Sequence, residues 1–258
     1  MKKKILVFSQ FYLPSYKSGG PVVSISNLIS SLNDDFDFMV FTSDRDSKET
    51  NKFSDLTANE WTEFNGTNVY YADRKKINAL FLIKLIKKST PDTVYLNSFF
   101  SVKFSILPLF VLKILFPSIK LVLAPRGEFS DGALSQNAYR KKIYIFLFQF
   151  LNLKKNIIWH TTNTNESVHV RRNLSINDDV IFISKNLVIK TDKELSSGLD
   201  MSNPNLQIIF LARITPTKNL DLAIEQLNKV KRNVSFDIYG LIDNEPYWDQ
   251  CKILISKL

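Results

Sequence analysis

Two cations, Arg213 and Lys218, sit in a turn between an apolar run, 207–212, and a helical repeat formed by Leu220, Ala223, Ile224, Leu227 and Val230. That spacing predicts a strand, a loop and a helix, with both charges in the loop. A helix N-terminus directs unpaired N–H groups outward, a guanidinium grips two oxygens at once, and an ammonium adds a point charge. A diphosphate is the ligand that would use all three. Taken alone, the segment reads first as two solvated loop charges, and the segments around it decide between the two readings.

Three further groups of residues have types suited to binding or proton transfer. After the first apolar run, 5–8, comes Gly19-Gly20-Pro21, where glycine lets backbone approach a phosphate or sugar and proline suits a helix start. The run 121–124 leads into Pro125-Arg126-Gly127-Glu128, in which Arg126 offers phosphate binding and Glu128 could orient a hydroxyl, unless the two simply pair with each other. The run 157–160 ends in His160 and continues to Asn163 and Glu166, whose spacing is that of a capping box. His160 and His169 are the only histidines; without an oriented partner, a structural hydrogen-bonded role is expected for His160. There is no GxGxxG, HExxH, Walker loop or Ser-His-Asp order, and neither a metal nor a nicotinamide cofactor is expected.

Strand-like runs at 5–8, 38–42, 69–71, 93–96, 121–124, 157–160 and 180–183 alternate with helical patterns at 22–32, 79–88, 102–116, 139–151 and 166–173. Such alternation predicts an α/β fold with a parallel sheet covered by helices on both faces. Ligands of such sheets bind at the C-terminal strand ends, where the three groups above would lie. The helix at 139–151 is basic at its start and apolar nearly all round in its second half. Deep burial is the expectation, and a membrane surface is the other arrangement. Regularity lapses between Leu187 and Asn205, then resumes with a strand at 207–212, a helix at 220–231, a strand at 234–239 and a last helix from about residue 247.

With 258 residues and 45% hydrophobic content, the chain can build one full core and part of a second. A single cysteine, Cys251, argues against a disulfide framework and for a reducing compartment. The formal charge of +9 favours anionic partners. No nucleic-acid-binding motif accompanies it, and nucleic acid is not an expected partner.

In their order along the chain, five segments resemble the retaining GT-B glycosyltransferases of the family-4 type, nearest to enzymes of bacterial capsule and O-antigen assembly. The segments are Gly19-Gly20-Pro21; Leu123 to Glu128; Trp159-His160-Thr161-Thr162 with Glu166; Phe210 to Asp221; and Phe236 to Gly240 followed by Tyr247-Trp248. The resemblance implies two Rossmann-like domains that bind a nucleotide-sugar between them: an acceptor-side domain at 1–190, a linker at 191–205 and an incomplete donor-binding domain at 206–258. It implies that Arg213 and Lys218 hold the donor diphosphate with Gly19 and Gly20 nearby, and makes Arg126, Gly127, Glu128, His160, Glu166 and Gly240 pocket candidates. No metal is implied, since cations and helix N-termini answer the leaving diphosphate, and no catalytic nucleophile is assigned. The acceptor would be a glycan, often lipid-linked at the inner leaflet, and the protein cytoplasmic or peripheral to that membrane. Family members carry a later Glu-x7-Glu segment for the donor that does not occur before Leu258. The alternative expectation is therefore a non-catalytic, truncated remnant that binds acceptor or membrane.

Overall fold

Leu6, Val7 and Phe8 are wholly buried because their strand, β1 (Lys3–Phe8), runs through the middle of a sheet. The computed structural model describes residues 2–188, 206–231 and 233–257, and the chain divides into two units, Met1–Lys190 and Thr191–Leu258. The expected linker at 191–205 lies outside the described residues.

In the first unit the chain runs β1, α1 (Gly20–Leu32), β2 (Phe36–Ser43), β3 (Trp61–Phe64), β4 (Thr67–Ala72), α2 (Ala79–Ser89), β5 (Thr93–Leu96). It continues through a π-helical turn (Val102–Ile106) into α3 (Leu107–Leu115), β6 (Lys120–Leu123), α4 (Asp131–Ser135), α5 (Ala138–Phe150), β7 (Ile158–Thr161), α6 (Thr164–Leu174) and β8 (Ile181–Ile183). The strand order is β3-β4-β2-β1-β5-β6-β7-β8, parallel throughout except that β3 pairs antiparallel with β4. The chain thus builds outward from β1 on one side, then crosses to β5 and builds outward on the other. Between β1 and β5 the order reverses, which opens a crevice at the C-terminal strand ends.

Alternate residues of a strand face opposite sides of its sheet, and the core divides accordingly. Val7, Val40, Val69, Tyr71 and Tyr95 join Ile25 and Ile29 of α1 on one side. Leu6, Phe8, Leu96, Leu123 and Trp159 join Leu82, Leu109, Phe148 and Val170, from α2, α3, α5 and α6, on the other. Burying one such aromatic side chain is worth about 2–3 kcal/mol, so this second cluster of four helices anchors the unit.

Two expectations need correction. The helix at 102–116 begins as a π turn, with Ile106 N–H donating to the Ser101 carbonyl before ordinary helix follows. Helix α5 is not deeply buried: Phe148 packs in the core, whereas Tyr139, Ile143, Phe146, Leu147 and Phe150 are exposed. Its apolar residues surround the helix, but the sheet can cover only one side of it.

The second unit contains β9 (Leu206–Leu211), a 3-10 turn (Pro216–Lys218), α7 (Leu220–Leu227), β10 (Val234–Tyr239) and α8 (Glu245–Ile255). The two strands pair in parallel, and Ile214, Leu220, Ile224, Tyr247 and Cys251 form a small core. Within it the Tyr247 hydroxyl donates to Asp221 Oδ1 at 2.7 Å and accepts the Asp221 N–H at 3.1 Å, tying α8 to the first turn of α7.

Candidate functional site

In the first unit, four strand ends deliver polar groups to one cavity of about 250 Å³. Gly20, Pro21 and Ser24 come from the start of α1, Arg126 and Gly127 from the turn after β6, Thr162, Asn163 and Glu166 from the start of α6, and Asn186 from the segment after β8. Gly19 sits directly behind this wall as the residue preceding α1, with φ +59° and ψ −125°, a conformation that needs glycine.

The loop carrying Gly19 and Gly20 is fixed by an acid that sequence reasoning did not single out. Asp46, buried just beyond β2, accepts the Ser15 hydroxyl, the N–H groups of Tyr16 and Lys17 at 3.0 and 3.2 Å, and its neighbour Ser47 N–H at 2.6 Å. Burial opposes ionisation of Asp46, but these four donors outweigh it and hold the carboxyl below its ordinary range. Its only signal in the sequence is an acid placed shortly after a strand end.

Arg126 adopts φ +56° and Gly127 φ +76°, a sharp turn of two left-handed residues. The guanidinium is held by neutral groups on three sides: Nε donates to Asn97 Oδ1 at 2.6 Å, Nη1 to Asn186 Oδ1 at 2.7 Å and Nη2 to the Tyr95 hydroxyl at 2.9 Å. Among the described residues no carboxylate pairs with it. The positive charge is therefore oriented without a bonded counter-charge, and two of its five N–H donors remain for a ligand.

Behind Arg126, the Tyr95 oxygen meets His160 Nδ1 at 2.7 Å, and His160 Nε2 meets the Ser184 carbonyl at 2.9 Å. A carbonyl only accepts, so Nε2 carries the proton and Nδ1 accepts from the tyrosine. Burial, aided by the Arg126 charge, lowers the His160 pKa and keeps the ring neutral. Burial also raises the Tyr95 hydroxyl to about 12. His160 is thus a structural member of a chain that aims Arg126, and it does not line the cavity.

Glu166 and Glu128 part company. Glu166 is buried and accepts the Gly127 N–H through Oε1 and both the Thr162 N–H and hydroxyl through Oε2, each at 2.7 Å. Half of the expected capping box is present, since Asn163 Oδ1 accepts the Glu166 N–H at 2.9 Å. The carboxylate itself reaches one residue further back and across to the neighbouring turn. Glu128 neither pairs with Arg126 nor lines the cavity: its carboxylate accepts Ser98 Oγ at 2.8 Å and the N–H groups of Phe99 and Phe100 at 2.6 and 3.1 Å. Burial pushes its pKa up. Ordering the turn after β5 is its visible role.

In the second unit, Arg213 Nη1 donates to Asp243 Oδ2 at 2.8 Å, leaving half of the side chain exposed. Lys218 is exposed at the end of the 3-10 turn, and Asn219, with φ +53°, precedes α7 without a side-chain cap. Gly240 has a packing reason, because a Cβ there would lie 1.7 Å from the Ala212 carbonyl oxygen where β9 and β10 leave their ladder. No group of three or more histidine, cysteine or acidic side chains suited to a metal occurs among the described residues.

No protein-family model matches the chain, and no curated protein matches its sequence. Among solved structures, the chain is similar to the S. aureus MnaA–UDP co-structure at 9% identity and a TM-score of 0.51, covering 100% of this chain and 67% of that one. The fold is α/β, Rossmann-type. Weaker likenesses are to a UDP-N-acetylglucosamine 2-epimerase, at 9% identity and a TM-score of 0.47 over 96% and 70% of the two chains, and to a dTDP-glucose 4,6-dehydratase from Bacillus anthracis str. Ames in complex with NAD. The latter shares 12% identity at a TM-score of 0.39 over 97% and 90%.

Proposed function

We propose that this chain belongs to a retaining glycosyltransferase that moves a sugar from a nucleotide-diphosphate donor to a surface-polysaccharide acceptor. The observation that carries the reading is the Arg126 cavity: glycine backbone, a guanidinium without a bonded counter-charge and the hydroxyl and amide groups of Ser24, Thr162, Asn163 and Asn186 line one crevice at C-terminal strand ends. Polar groups of this density and variety suit sugar hydroxyls and an anionic group together. Arg213 and Lys218 are assigned to the donor diphosphate, the charge of which grows as the anomeric carbon–oxygen bond breaks; the acceptor hydroxyl oxygen bonds to the same face of the anomeric carbon and its proton passes to the departing nucleotide diphosphate.

A second reading, binding without transfer, is favoured by one observation. Both oxygens of Glu166, the acid that lines the cavity, are occupied by structural donors.

Calorimetric titration with UDP, GDP and UDP-sugars tests the first reading; MnaA was solved with UDP, which makes UDP the first nucleotide to try. We expect binding that Arg213→Ala and Lys218→Ala each weaken by about tenfold, the effect of losing one charge-assisted contact. Absence of binding to every nucleotide diphosphate would overturn the assignment. Binding without sugar release in the presence of acceptor lipids or glycans would select the second reading.

A further inference from the structure

Three aromatic rings form a wall on the α2 side of the sheet, and none of them lines the Arg126 cavity. Trp61 of β3 meets Tyr70 of β4 edge to face with centroids 5.4 Å apart, and Tyr70 meets Phe81 of α2 at 5.7 Å. Wholly buried Phe41 packs against Tyr70 and Phe81 at 5.7 and 5.8 Å, so the wall is backed by core. All three rings are half-buried and line a cavity of about 470 Å³, within the usual size range of a small-molecule site.

Four polar side chains border the wall. Asn59 is locked in a left-handed conformation, φ +69°. Its N–H donates to the Tyr71 carbonyl at 2.8 Å, its carbonyl accepts the Tyr70 hydroxyl at 2.7 Å and its Oδ1 accepts the Asp73 N–H at 3.2 Å, which leaves the Nδ2 amide donor unused. Beside it Glu60 is exposed, as are Lys84 and Lys88 of α2, and none of these three charges forms an ion pair among the described residues. Phe81, Lys84 and Lys88 recur at intervals of three and four residues, so they share one face of α2. Like charges four residues apart on a helix repel, and an anion held between the two ammoniums would remove that repulsion.

We propose that this cavity binds a guanine nucleotide, with the base on the aromatic wall and the phosphate at Lys84 and Lys88. Aromatic side chains hold a base by stacking, whatever its identity. Glu60 supplies the selection, because a carboxylate only accepts. Guanine offers it two adjacent donors, N1–H and the N2 amino group, and leaves O6 for the Asn59 amide. Adenine sets an acceptor beside its one amino donor, and uracil has a single N–H between two carbonyls. A neutral sugar would use the wall and Glu60 but leave both lysines without a partner. The site lies wholly in the first unit and does not rest on the glycosyltransferase reading, in which Arg213 and Lys218 of the second unit take the donor diphosphate.

Calorimetric titration of the full chain with GMP tests it, against AMP, UMP, guanosine and inorganic phosphate. GMP is expected to bind at least about tenfold tighter than each of the others. K84E/K88E alters only exposed side chains and should lower GMP affinity by about tenfold or more, to the level of guanosine. Glu60→Gln should erase most of the preference for GMP over AMP, since an amide presents a donor to one of the guanine N–H groups. GMP should quench tryptophan emission in the wild type but not in Trp61→Phe, which keeps an aromatic ring in the wall. R213A/K218A should bind GMP as the wild type does, which separates this site from the donor assignment. Absence of GMP binding, equal binding of GMP, AMP and UMP, or full binding by K84E/K88E overturns the proposal. So does loss of GMP binding in R213A/K218A, because the nucleotide would then sit in the second unit. An oligoribonucleotide without guanine that binds tighter than GMP, and fails to bind K84E/K88E, also overturns it in favour of RNA.

Discussion

Glu166 Oε1 accepts the backbone N–H of Gly127 at 2.7 Å, a bond between residues 39 apart in sequence. It joins the turn after β6 to the start of α6, and with Thr162 on the other oxygen it makes one buried carboxylate the clasp of the cavity's two walls. Glu166→Gln keeps the shape but turns an amide donor toward one of these N–H groups. Unfolding free energy from urea titration should fall by about 2 kcal/mol, the scale of a bond to a charged acceptor. A loss below about 0.5 kcal/mol would show that the clasp contributes little.

Arg126 separates into a fold term and a ligand term. Arg126→Lys retains charge but cannot reach Asn97, Asn186 and Tyr95 together, and lysine has no planar fork. If the cavity takes an anionic or sugar ligand, both Arg126→Lys and Arg126→Ala should weaken its binding by about tenfold or more, measured calorimetrically. Equal affinity in all three proteins would remove Arg126 from the site.

His160 predicts a pH dependence of stability. Its folded pKa is lowered by burial, so the unfolded chain binds the extra proton more readily. The neutral ring's contribution is therefore complete above the unfolded pKa of about 6.5 and is lost as pH falls through and below that value. Tyr95, Arg126 and Glu166 surround the ring, so the comparison is made against His160→Gln in the same background. The difference in melting temperature between wild type and His160→Gln should shrink between about pH 7.5 and pH 5.5. A difference that stays constant over this range would exclude the histidine as its source.

Gly240→Ala should damage the second unit and spare the first. A methyl placed 1.7 Å from a carbonyl oxygen cannot be accommodated without moving β9 from β10, at a cost of about 3 kcal/mol or more. Hydrogen exchange resolved by peptide should show loss of protection in β9, α7, β10 and α8, with β1, β5 and β6 unchanged. Uniform destabilisation of both units would contradict the division at residue 190.

The strands were legible because their apolar runs are short and bounded: Thr93–Leu96 and Val234–Tyr239 coincide with the runs at 93–96 and 234–239. Strand β3 escaped because its four residues alternate weakly in polarity and lie at a sheet edge. The clue was nevertheless present in Asn65-Gly66, both with positive φ, the dipeptide that favours a tight hairpin. Helix α5 misled because periodicity records where apolar side chains are and says nothing of what covers them. Asp46, Tyr95, Asn97 and Asn186 were invisible for a different reason. Each is a single polar residue near a strand end, and only the order of strands in the sheet brings Tyr95, Asn97 and Asn186 to Arg126.

The left-handed backbone at Arg126 makes this position report on two selections separately. A non-glycine residue with φ +56° costs about 1 kcal/mol, which Gly or Asn would relieve. A library randomised at codon 126 and screened for expression alone should therefore enrich Gly and Asn, whereas a screen that also demands ligand should return Arg. Divergence between these two pools would measure, residue by residue, what the chain keeps for binding and what it keeps for folding.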